Sequence, residues 1–367
     1  MYRIIYFVSI FFLFLPLGAD AQEAIDTYVR GRVVAIDQEL ESDDPLVPVL
    51  ERFSQRVSVE LITGPEAGRV VPSSYVPGGS PDSPQRLLVG QVVVLLQTVH
   101  DDGTISYGVV DHYRLPWILG VVGLFMATVC AFAGWYGVRS IVGLACTITI
   151  LLWFVLPAII AGHNPLVVAV LGSLTIATVS LYIAHGCNRR ITIAVVSTIV
   201  TILVATGIAV VCVWLASLFG LGTEEAFYVQ LDDLASINLR GLLLAGIIIG
   251  VLGVLDDITT AQTAAVEEIH RANPALSALE LYRRGTSVGR EHIVSLVNTL
   301  ALAYMGAGLP LFLLFTQYQQ PWWVVTNSEK IAEEIIRTLV GSFALVFAVP
   351  LTTAIASLVF GARSHRD

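Results

Sequence analysis

"GLLLAGIIIGVLGVLDDITTAQ", residues 241–262, decides the fold. The stretch from Gly241 to Leu255 is wholly apolar, and two adjacent aspartates, Asp256 and Asp257, follow it directly. Fifteen helical residues rise about 22 Å, short of the roughly 30 Å of a hydrocarbon core. The next stretch, "ITTAQTAAV" (258–266), stays weakly polar until Glu267 and Glu268 mark water. The helix therefore runs on through a bilayer with both carboxylates inside it. A carboxylate at such depth costs at least about 2.5–3.5 kcal/mol, which a cation, a proton or hydrogen-bond donors must offset.

The rest of the chain agrees with a membrane setting. Hydrophobic residues make up 55% of the 367 and charged ones only 13%, about half the usual charge of a soluble domain. The net charge of −9 gives no support for nucleic-acid binding. Lys330 is the only lysine, so nearly all positive charge is arginine. Cys130, Cys146, Cys187 and Cys212 fall in or beside apolar runs with no CxxC spacing, which argues against a disulfide framework or a zinc site.

Three regions follow one another. Residues 1–21 carry Arg3, an apolar core and Ala19-Asp20-Ala21, the pattern of a signal peptide cleaved after Ala21. Residues 22–114 are rich in β-branched residues in "TYVRGRVVAI", "QRVSVELITG" and "GQVVVLLQTV", and "HDDGTISYGVVDHY" reads as a hairpin. A Pro/Gly/Ser loop occupies 72–85. About five short strands predict a small exported all-β domain, an OB-like barrel. Residues 115–367 form an α-helical polytopic membrane domain of about seven transmembrane helices, near 115–133, 140–161, 165–185, 191–216, 240–260, 292–316 and 338–360, with a break conceivable at Gly207.

The arginines orient these spans. Arg139, the pair Arg189-Arg190, the group Arg271, Arg283, Arg284 and Arg290, and Arg363 with Arg366 all fall on one side, the side opposite an exported N-terminal domain. The N-terminus is therefore outside and the C-terminus inside, with Asp256 and Asp257 in the cytoplasmic half. Trp322 and Trp323 belong to an outer aromatic belt. "NPALSALELYRR" in the 267–291 loop is amphipathic and reads equally as a surface helix or a solvated connector. Glu329, Glu333, Glu334 and Arg337 read as a solvated face, and Arg189-Arg190 as a topology signal.

Helical spacing sharpens the expectation for the fifth span. Gly246, Gly250, Gly253 and Asp257 share one face, a row of small residues that predicts a helix-packing seam. Asp256 lies about 100° round the helix and heads a row with Thr260, Thr263 and Glu267. Gln262, and Asn298 with Tyr304 on the sixth span, are the candidate partners of the two carboxylates. The candidate ion- or substrate-binding set is thus Asp256, Asp257, Thr260, Gln262, Asn298 and Tyr304.

The chain resembles the YibE/F family of bacterial multi-pass membrane proteins. The resemblance rests on "VELITGP" (59–65), "VGQVVVLL" (89–96), "VVDHYR" (109–114), "GVLGVLDDITTAQTAAVEEI" (250–269), "GTSVGREHI" (285–293) with "NTLALAYMGAGLPLFLL" (298–314), and "VPLTTAIAS" (349–357). These blocks span nearly the whole chain in order; the third and fourth spans match loosely. The resemblance implies a signal-led domain outside a bacterial cell membrane and a seven-helix integral part, with transport as the usual suggestion.

A permease or ion-coupled transporter using the aspartate pair is the function expected. The alternative is a non-transporting sensor or scaffold whose exported domain binds an envelope ligand or partner. An enzyme is not expected: no Ser/His/Asp arrangement, P-loop or HExxH occurs, and carboxylates adjacent on one helix diverge too far to share a proton as aspartyl proteases do. The partners implied are the lipid bilayer and a small ion, proton or small solute, with a second copy or second membrane subunit as a further candidate. No cofactor and no nucleic acid is implied.

Overall fold

A computed structural model describes residues 27–41, 53–76, 86–100, 103–231, 237–317 and 321–361. The expected signal peptide, most of the 72–85 loop, the hairpin residues Asp101 and Asp102, and Arg363 and Arg366 lie outside the described residues. The described residues divide into two compact units, the first ending at Thr128 and the second beginning at Val129.

The first unit holds the barrel. Strands β1 (Thr27–Glu41), β2 (Phe53–Leu61), β3 (Val70–Tyr75), β4 (Val92–Val99) and β5 (Ile105–His112) close in the order β1-β2-β3-β5-β4. Among the described strands only β3 and β5 pair in parallel, through Ser73–Tyr107 and Ser74–Gly108. Long β1 serves two neighbours, β4 along its first half and β2 along its second, and register shifts after Val33 and Ile36 bend it. Gly31 sits where β1 crosses the core: a Cβ there would lie 2.3 Å from Val59 Cγ1. Alternation on β2 puts Val57, Val59 and Leu61 inside with Val33, Val93 and Leu95, which is the core the period-2 pattern predicts. The expected five-stranded barrel is therefore present.

Two polar side chains, Gln55 and Ser73, are buried among the barrel strands. Gln55 is fully buried; its Oε1 accepts from the Leu87 N–H at 2.7 Å, and its Nε2 donates to Glu39 Oε1 at 2.8 Å and to the Leu87 carbonyl at 3.4 Å. Gln55→Leu leaves both Leu87 groups without a partner inside the barrel, at a cost of about 2–4 kcal/mol. Faster hydrogen exchange across β2 and β3 is the expected readout.

From Leu115 onward the described residues are helical. Helix α1 (Leu115–Ile150) runs into a π-helical turn (Leu151–Val155) and short α2 (Leu156–Ile160). Then come α3 (Pro165–His185), α4 (Arg189–Leu215), α5 (Glu224–Leu231), α6 (Leu239–Ala272), α7 (Ala278–Ala307), α8 (Leu309–Gln317), α9 (Trp322–Asn327) and α10 (Glu329–Gly361). Among the described residues, five helical stretches are long and apolar enough to cross a membrane: Leu115–Ile160, α3, α4, α6 and α10. A sixth results if α7 and α8, bent by 65°, are taken as one span.

The sequence divides Leu115–Ile160 into two spans, and the backbone breaks between them, at Gly134 (φ 55°, ψ −133°). The turn is sharp enough that a Cβ on Gly137 would fall 2.5 Å from the Val129 carbonyl oxygen. Helix α3 matches the predicted third span, with Asn164 capping Leu166 and Val167 and Pro165 in the first turn. Helix α4 passes Gly207 unbroken, so no discontinuity exists there.

Two boundaries move. Helix α6 continues past the predicted end at 260 to Ala272. The segment "ALELYRR" is helical and continuous with the sixth predicted span: α7 starts at Ala278 behind a Ser277/Glu280 capping box and runs to Ala307. Helix α6 packs against α3, α4, α7 and α10. Its Leu244, Ile247, Ile248, Val251, Leu252 and Leu255 join Val340, Leu345 and Val349 of α10 in the main core.

Candidate functional site

Arginines close three helix ends. Arg139 Nε donates to the Ile183 carbonyl at the end of α3 (2.8 Å), Arg240 Nε to Leu218 beyond α4 (2.8 Å), and Arg189 Nη2 to Val359 near the end of α10. Cations at carbonyl-rich helix ends are favourable. Arg189 therefore does structural work beyond that of a topology signal.

Asp256 lies one turn before the hydroxyl-bearing part of α6 and is half-buried against α3. The Ser180 hydroxyl of α3 donates to its Oδ2 at 3.2 Å. Its Oδ1 is buried and has no hydrogen-bond partner among the described residues. The hydroxyls of Thr259 and Thr260 donate to the carbonyls of Leu255 and Asp256, so neither turns to the carboxylate. Thr259, not Thr260, faces α4: its Oγ1 is 2.7 Å from Thr198 Oγ1, with Ser197, Thr201 and Thr263 buried alongside. Ser180 was not found from the sequence, because one sequence does not reveal that α3 lies against α6.

The glycine row does not form the expected seam within the chain. Gly246, Gly253 and Asp257 are exposed, and nothing lies within 4 Å of where a Cβ on either glycine would be. The opposite ridge of isoleucine, valine and leucine buries far more apolar area, so it turns inward and the glycines turn out. Gly250 alone meets another helix: a Cβ there would be 3.4 Å from the Tyr304 hydroxyl of α7.

The other predicted partners are elsewhere. Gln262 is buried, but its Nε2 donates to the Gly285 carbonyl (2.8 Å) and to Thr353 Oγ1 (2.7 Å), tying α6 to α7 and α10. That junction depends on small residues, since a Cβ on Gly289 would fall 2.3 Å from Val349 Cγ1. Six residues beyond Asp256, Gln262 points about 120° away from it round α6. Asn298 is exposed on α7 and bonds neither aspartate among the described residues.

The acidic start of α10 is not a solvated face. Glu333 is 3% exposed and accepts from the Gly222 N–H at 3.0 Å. Glu329 Oε1 accepts from three successive N–H groups, Phe219 (2.6 Å), Gly220 (2.8 Å) and Leu221 (3.2 Å). The α4–α5 loop thus wraps these carboxylates. Gly220 makes this approach possible at φ 86°, where a Cβ would meet the Leu239 carbonyl oxygen at 2.3 Å. The sequence signal was the Gly-rich "FGLGT" (219–223) together with acids four apart on α10.

A barrel followed by apolar helices packed on a common core, with a half-buried carboxylate between two of them, defines a helical protein of membrane type. Residues 121–362 match the family described as YibE/F-like protein, and the chain belongs to that family. The match begins beyond the barrel. No curated protein and no solved structure matches the chain.

Proposed function

We propose that this protein is an integral membrane permease that moves its solute in step with protons, with Asp256 taking up and releasing the proton. The observation that carries this reading is the buried Oδ1 of Asp256, which has no donor while Oδ2 is bonded to Ser180. An ionised oxygen in that position is uncompensated, and intramembrane carboxylates of this kind mark ion and proton paths. A proton fits better than a metal cation. Hard cations such as Mg²⁺ or Ca²⁺ take six or more oxygen ligands, whereas Ser180 is the one side chain bonded to the carboxylate among the described residues.

On this reading the arginine-rich loops are cytoplasmic, the barrel is extracytoplasmic, seven spans cross a bacterial cell membrane, and no covalent chemistry is performed. Proteoliposomes carrying the full chain and an internal pH-sensitive dye test it against a panel of metabolites and inorganic ions. At least one solute is expected to move protons with it. A panel that produces no solute-dependent proton movement contradicts the proposal.

The sensor reading is favoured by one observation in the barrel. A 720 Å³ groove runs along β3 and β5, lined by Arg56, Arg69 and Ser73 among others. Ser73 is 6% exposed and its Oγ has no partner among the described residues. A ligand captured there by a protein that moves nothing would favour that reading.

A further inference from the structure

We propose that the cleft between α7 and α10 binds an anionic phospholipid of the surrounding bilayer. Two adjoining cavities form the cleft. One, of 590 Å³, brings the charged side chains of Lys330, Glu334 and Arg337 together with Thr223, Tyr304 and a mainly apolar wall that includes Pro310 and Leu311. The other, of 340 Å³, is lined by apolar side chains including Met305, Phe312, Ile335 and Leu339. Tyr304, Gly308, Leu311 and Glu334 line both, so the charged chamber opens directly into the apolar groove.

The charges favour an anion in the first chamber. Glu329 and Glu333 are committed to the N–H groups of the α4–α5 loop, which leaves Glu334 as the one carboxylate lining the chamber against two cations. Arg337 approaches Glu334 at 3.5 Å through Nη1, but its Nε is buried without a hydrogen-bond partner. Lys330 is exposed and forms no ion pair among the described residues. A phosphodiester is the anion that arginine and lysine recognise together.

The groove favours a chain. Met305, Phe312, Ile335 and Leu339 are each at least 40% exposed, an open apolar face continuous with the cationic chamber. Exposed Trp322 and Trp323 on α9 sit immediately before α10, as interfacial aromatics do at headgroup level. A headgroup at Lys330 and Arg337 with one acyl chain along the groove satisfies both chambers at once. Of the candidate set around Asp256 the site includes only Tyr304, which bonds neither aspartate among the described residues, and it does not depend on the proton reading.

The test uses the full chain reconstituted in nanodiscs of phosphatidylglycerol and phosphatidylcholine, transferred to detergent, with retained lipid counted by native mass spectrometry. Wild type is expected to retain phosphatidylglycerol about tenfold over phosphatidylcholine. Lys330→Gln, at an exposed position, is expected to weaken that preference, and Lys330→Gln with Arg337→Gln to remove it. Glu334→Gln should raise the preference, and Ile335→Trp, which fills the groove, should lower retention of both lipids. Unchanged preference in folded Lys330→Gln overturns the proposal. So does displacement of the lipid by inorganic phosphate alone, which would mean that the chamber takes an anion without a chain.

Discussion

Asp256→Asn is expected to reduce solute-dependent proton movement in proteoliposomes by about a hundredfold or more, the scale on which losing a proton-carrying group acts. Asparagine has nearly the same shape and can still accept the Ser180 hydroxyl at the position of Oδ2, so the α3–α6 contact survives. It also removes a carboxylate whose insertion costs about 2.5–3.5 kcal/mol, so thermal stability in detergent should hold or rise. Loss of flux with unchanged or greater stability separates a functional role from a packing role. Asp257→Asn gives the contrast. Asp257 is exposed on the glycine face, and its replacement should leave flux within about fivefold of wild type, the scale of an exposed charge. Equal losses in the two variants would mean that the pair acts together and that the assignment to Asp256 is wrong.

Glu329→Ala is expected to cost about 3 kcal/mol or more, because one carboxylate oxygen serves the N–H groups of Phe219, Gly220 and Leu221. Alanine leaves all three donors without that acceptor and frees the loop that Gly220 holds against Leu239. Glu329→Gln keeps an acceptor oxygen without its charge and should lose about half as much. Thermal melting of the purified protein, with proteolysis at the α4–α5 loop as a local readout, measures both. A fully stable alanine variant would show that the loop is held by its apolar contacts and not by the carboxylate.

Much of the architecture was legible because its causes are local. Alternation in "QRVSVELITG" predicts β2, and Asn164-Pro165 marks the start of α3 to the residue. Asp256 was legible as a candidate because a carboxylate inside an apolar helix is conspicuous by itself. What failed was knowledge of which helices are neighbours. Ser180 is 76 residues from Asp256 in sequence, and nothing local says that α3 lies beside that turn of α6. Gln262 looked close to the aspartates by number but sits on a different face, where Gly285 and Thr353 engage it.

The glycine row shows a different kind of failure. Small residues at helical spacing permit close approach, but they do not attract a neighbour, and the isoleucine ridge on the other side of α6 determined which face went in. Glu329 and Glu333 were misread because their partners are backbone N–H groups, which leave no mark in a pattern of side chains. The Gly-rich loop and the four-residue spacing of the acids were the traces of them.

On the proposed mechanism the Asp256 carboxyl carries a proton during the cycle. Infrared difference spectroscopy of the reconstituted protein across a pH step measures that directly. The account predicts a protonated-carboxyl band that responds to pH in wild type and in Asp257→Asn and is missing in Asp256→Asn. A wild-type protein with no such band, or a band that persists unchanged in Asp256→Asn, would contradict it.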